Sequence, residues 1–99
     1  MRQYRAGGIA FTNLLNNYPE SAKGDEYKLM SIKSFYQFAK LSVPEKQEER
    51  YEKVVTDYNY FTDRYSDSKL LKDAQEYNKL SLNHIKELQN EQTKTTTKR

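Results

Sequence analysis

The sequence predicts an all-α chain of about four helices, arranged as antiparallel pairs stacked into a piece of an α-solenoid. Three observations lead there. Four segments keep their apolar residues at the three-and-four spacing of a single helical face. The first half of the chain maps onto the second at a shift of 47 residues. Only three Gly and two Pro punctuate the 99 residues, too few for a chain built from loops.

The first segment spans about 3–17, with Tyr4, Gly7, Gly8, Phe11, Leu14, Leu15 and Tyr18 on one side. Pro19 ends it, since proline cannot continue the hydrogen-bond ladder. The second spans about 22–41 and aligns Tyr27, Met30, Ser34, Phe35, Phe38 and Ala39. The third spans about 44–64 on a stripe of Tyr51, Val54, Val55, Tyr58, Phe61 and Tyr65. Its start is marked by Ser42 as the expected N-cap, Pro44 in the first turn and Glu45 three residues after the serine. The fourth begins after Ser68 and places Leu71, Ala74, Tyr77, Ser81, Ile85 and Leu88 together. From Gln89 to Arg99 no apolar residue occurs. Such a stretch buries too little to offset its ordering entropy, so 89–99 is expected to be a disordered polar tail. The organisation predicted is thus 1–88 as helical repeats, divided 3–41 and 44–88, followed by that tail.

The repeat shows in its pattern more than in its identities. A shift of 47 sets Tyr4 on Tyr51, Phe11 on Tyr58, Leu14 on Phe61 and Tyr18 on Tyr65. It also sets Ser34 on Ser81 and Phe38 on Ile85. Tyr18-Pro19-Glu20-Ser21 and Tyr65-Ser66-Asp67-Ser68 read as one interhelical corner written twice, with the serine capping the next helix. The positions that define the repeat are Tyr4, Gly7, Phe11, Leu14, Tyr18 and Pro19, then Tyr51, Val55, Tyr58, Phe61 and Tyr65. Gly7 and Gly8 each cost a helix up to ~1 kcal/mol against alanine, which predicts a close helix crossing there. Stacked pairs of this kind leave a concave surface for binding.

Composition narrows the function. A chain this short buries roughly 60–65% of the surface it exposes unfolded, and its core leans on nine Tyr and four Phe. Tyrosine suits half-buried sites, packing its ring while the hydroxyl stays hydrated or bonded. The 17 basic and 14 acidic side chains give a net charge of +3. They are interspersed, the clearest bias being Lys94, Lys98 and Arg99, whereas a nucleic-acid binder shows a one-sided basic stripe. The absence of Cys removes disulfides and thiolate metal sites. No apolar run approaches the ~18 residues of a membrane span.

The sequence offers catalysis little. His84 is the only histidine and has no second ligand cluster; it reads as a partly exposed helix-surface residue. Glu45, Glu48, Glu49 and Glu52 stand where the macrodipole favours acids in the first turns of a helix. Ser21, Ser34, Ser68 and Ser81 have no basic partner to activate them. No enzyme activity, cofactor or metal is expected. Tyr36 and Tyr60 fall off the main stripes, near Lys33, Lys40 and Arg64. Tyrosines beside basic groups are common at protein contacts, so these five are candidate contact residues, with packing against a neighbouring repeat as the competing account of the tyrosines.

Tyr4, Gly7, Phe11, Leu14 and Pro19 resemble the second helix of a tetratricopeptide repeat: an aromatic, a small residue at the helix contact, a second aromatic and a closing proline. Tyr4-Arg5-Ala6, Phe11-Thr12-Asn13-Leu14-Leu15 and Tyr18-Pro19-Glu20-Ser21 together resemble the BamD family, the tetratricopeptide lipoprotein of the β-barrel assembly machinery. Lys46-Gln47-Glu48-Glu49-Arg50-Tyr51 and Asp63-Arg64-Tyr65-Ser66-Asp67-Ser68-Lys69 do so too. The resemblance covers about 3–88, looks closest to Bacteroidetes-type members, and suggests the C-terminal part of a longer array. It implies a docking scaffold on the periplasmic face of the outer membrane. The partners implied are other assembly subunits, including the periplasmic domain of the barrel component. A lipid anchor is expected only in the part preceding these residues, and no nucleic acid or membrane span is expected. The period of 47 departs from the usual 34. Two alternatives stay open: a generic peptide-binding tetratricopeptide module of another envelope protein, and a small basic nucleic-acid-associated helical domain.

Overall fold

The computed structural model describes residues 2–97, with side chains described through Glu91. Four helices follow one another: α1 (Arg2–Asn17), α2 (Gly24–Lys40), α3 (Pro44–Arg64) and α4 (Leu71–Thr97). The described residues contain no strand. α1 packs on α2 alone, α2 on all three other helices, and α3 on α2 and α4. α2 and α4 therefore meet, while α1 and α3 stay apart. A stack whose even helices touch and whose odd helices diverge is curved, with α2 and α4 on the inner side. The result is a slab of 54 × 28 × 15 Å.

The core lies where α2, α3 and α4 converge, on Ile32, Phe35, Tyr36, Ala39, Tyr51, Val54, Phe61 and Ala74. α3 is the most regular element. Pro44 sits in its first turn and Val43 is the N-cap, with no side-chain capping bond. Ser42, expected as that cap, instead donates its hydroxyl back to the Phe38 carbonyl and accepts from Arg50 Nη1 at 2.6 Å. The serine closes the end of α2 and leaves the start of α3 to proline and the Glu45 carboxylate.

The two corners repeat bond for bond. In the first, the N–H of Tyr18 donates to Leu14, Ser21 to Tyr18, Gly24 to Ser21 and Tyr27 to Lys23. In the second, Tyr65 donates to Phe61, Ser68 to Tyr65, Leu71 to Ser68 and Ala74 to Leu70, each 47 residues on. Ser21 Oγ accepts from the Lys23 N–H at 3.1 Å, and Ser68 Oγ from the Leu70 N–H at 3.0 Å. The serines thus brace the turn before each helix. The corners also touch, Arg64 Nη2 donating to the Pro19 carbonyl at 3.3 Å and Ser68 Oγ to Asp25 Oδ2 at 2.6 Å.

The glycine pair marks a close crossing of α1 on α2, and the tight position is Gly8. A Cβ there would lie 2.7 Å from the Phe35 ring, whereas at Gly7 the nearest atom is Ser34 Oγ at 3.3 Å. The buried Gly8 carbonyl accepts from Thr12 Oγ1 at 2.9 Å and from Ser31 Oγ at 3.3 Å.

Two expectations need correction. The segment from 89 is not a disordered tail as far as Thr97, because α4 runs on to that residue; Lys98 and Arg99 lie outside the described residues. Gln89, Glu91, Gln92 and Lys94 are good helix formers and no Gly or Pro interrupts the stretch, which lets a helix already nucleated by packing run on despite the poorer Asn90 and threonines. Leu14 and Tyr18, counted as repeat core, are 37% and 61% exposed, while their counterparts Phe61 and Tyr65 are fully buried and half-buried. α3 is covered on both flanks and α1 on one only.

Candidate protein-docking faces

Between α2 and α3 the structure buries charge. Lys28 Nζ lies 3.2 Å from Asp57 Oδ1, both side chains almost fully enclosed, and the more exposed Lys53 reaches the same oxygen at 3.0 Å. Asp57 Oδ2 is buried without a hydrogen-bond partner among the described residues. Lys28 Nζ also stands 4.5 Å above the ring of Tyr60. Two ammonium groups share one carboxylate, so the cluster keeps a positive surplus.

Where α2, α3 and α4 meet, four rings interlock. Tyr51 and His84 stack at 4.6 Å between centroids, and Tyr36 tilts against Tyr51 at 5.8 Å and Tyr77 at 5.4 Å. The Tyr36 hydroxyl lies 3.3 Å from His84 Nε2. Burial, then the neighbouring Tyr36 hydroxyl and Glu87, pushes the Tyr51 phenol up to about 12. Burial and Tyr77 raise Tyr36 as well. His84 is half-buried and fixed by its ring contacts.

The five candidate contact residues do not form one surface. Tyr36 is only 6% exposed and belongs to this aromatic cluster, so its sequence assignment as a contact is corrected to packing. Tyr60 is exposed but lies under Lys28. Arg64 is held to the first corner through Pro19. Lys33 edges the groove between α2 and α4, while Lys40 borders a separate recess near His84.

Two grooves have the form of a docking face. The inner one, about 430 Å³, runs between α2 and α4 over Leu29, Met30, Tyr77 and Leu80, with Lys33, Asp73 and Glu76 on its edge. The outer one, about 410 Å³, opens where α1 and α3 diverge over the back of α2. Phe35, Phe38 and Ile9 form its apolar lining, and Arg5, Arg50, Lys53 and Glu49 its rim. Arg50 lies 4.3 Å over the Phe38 ring and Lys53 4.8 Å over Phe35. Sequence reasoning missed the outer groove because its residues come from three helices and share no local spacing.

Among the described residues no group of three or more His, Cys, Asp or Glu could hold a metal ion. No described helix is long and apolar enough to cross a membrane. Comparison with known protein families and with curated proteins finds no match to this chain.

Proposed function

We propose that this chain is a non-catalytic docking scaffold that holds partner proteins against a curved stack of helix pairs. The observation that carries this reading is the inner groove, where Leu29, Met30, Tyr77 and Leu80 line a concave strip on paired helices. A partner helix or strand buries apolar area there, and the mixed charges of Lys33, Asp73 and Glu76 set its register. Met30 is flexible and well exposed, a side chain suited to adaptive contact.

The motif resemblance gives the scaffold its setting: the C-terminal repeats of a BamD-type lipoprotein at the periplasmic face of the outer membrane. The partners proposed are the other barrel-assembly subunits, with the periplasmic domain of the barrel component among them. Support for this setting lies in the two matched corners and their aromatic spacing. A peptide-binding module of another envelope protein would use the same groove with a different partner.

The test is capture from solubilised outer membrane. The protein carrying this chain is compared with a form lacking residues 1–99 and with the double substitution Met30→Asp, Leu80→Asp. Barrel-assembly subunits retained by the parent and lost from both altered forms are the expected result. Equal capture by all three would overturn the docking role.

A further inference from the structure

We propose that the outer groove, between α1 and α3, binds an acidic segment of a partner protein, seating one large apolar side chain against Phe35, Phe38 and Ile9. The inference rests on the docking reading and names a second face and its partner's chemistry. Around the groove, Arg5, Arg50 and Lys53 face a single acid, Glu49. That acid is engaged by Lys46 at 3.6 Å. Lys53 adds the surplus of its cluster, since Lys28 and Lys53 share the one carboxylate of Asp57. Arg5 is exposed and makes no hydrogen bond or ion pair among the described residues. The rim is therefore short of negative charge, and carboxylates on a ligand supply it.

The lining says which polyanion fits. Cations already cover one face of each phenylalanine ring, and Phe35 is packed against Gly8 and 9% exposed, so the groove offers ring edges and aliphatic surface and not the broad face on which a nucleobase stacks. What remains is an apolar slot with a charged margin, the size of one or two side chains. Arg50 is held in place by Ser42 and by Phe38. An ordered guanidinium loses less freedom when it takes a carboxylate.

The probe is a blocked pentapeptide with phenylalanine at its centre and two acidic residues on each side, titrated into the isotope-labelled chain and followed by NMR. Amide shifts grouped around Arg5, Ile9, Phe38, Arg50 and Lys53 are expected. Affinity should fall about tenfold for Arg5→Glu or for an alanine-centred peptide, and further as salt screens the rim. Arg5 lies in the first turn of α1, where a glutamate is favoured by the macrodipole, so that variant keeps its fold. Scattered shifts, no binding, or unchanged affinity in Arg5→Glu would overturn the proposal. So would a single-stranded oligonucleotide that competes from the same residues, or a concentration-dependent dimer broken by Arg5→Glu. Loss of subunit capture on deleting residues 1–99, with no peptide binding here, would sink this groove and leave the docking scaffold standing.

Discussion

Lys28 on α2 and Asp57 on α3 form an ion pair 3.2 Å apart inside the protein, and no local feature of the sequence announces it. Removing one partner leaves the other charge enclosed. Asp57→Asn is expected to destabilise the chain by about 3–5 kcal/mol in urea unfolding. The double change Lys28→Met, Asp57→Leu should recover most of that loss, because neither charge is then stranded. A double variant as unstable as the single one would show that packing, not charge, is at stake.

Gly8 and Gly7 should respond to alanine in opposite directions. At Gly8 the new methyl meets the Phe35 ring at 2.7 Å, and overpacking of that kind costs about 1–3 kcal/mol. At Gly7 the only close atom is a serine hydroxyl that can rotate, so the helix-propensity gain, up to ~1 kcal/mol, prevails. Thermal melts of the two variants check this.

The repeat positions Leu14 and Phe61 should part in the same way. Phe61→Ala removes a fully buried ring and is expected to cost about 3–5 kcal/mol. Leu14→Ala, at 37% exposure, should cost under about 1 kcal/mol. Chemical denaturation at matched conditions measures both.

Stability should fall at high pH through Tyr51. Its phenol ionises near 10 when unfolded and near 12 in the folded chain, so the native state keeps a proton that the unfolded state has released. The contribution is complete below pH 10 and disappears as pH rises toward 12. Tyr51→Phe should flatten that decline, read from melting temperatures across the window.

The sequence made α3 legible to the residue, since Pro44 and an unbroken aromatic stripe leave one reading of Pro44–Arg64. It also carried the corner repeat, whose tyrosine and serine spacing fixes the turn. α2 was harder. It packs on three helices, and its buried stripe of Lys28, Ile32, Phe35, Tyr36 and Ala39 carries a lysine at one end, so spacing of apolar residues alone points to a neighbouring face. Met30, placed on the stripe by spacing, is exposed. The ion pair joins residues 29 apart, and each groove draws on two or three helices. Patterns along one helix cannot encode such meetings. The run of α4 on to Thr97 is not legible in hydrophobic spacing, because burial is not the only way to keep a helix going.

Because α2 alone touches every other helix, the chain has a natural order of opening. α1 is secured by one neighbour, so local fluctuations release it without disturbing the centre. The amides of α2 facing Val54 and Phe61 open only when the whole stack does. Hydrogen exchange would then be slowest in the second helix and not in the longest, and among the described helices a protease would release the first before it reached the second.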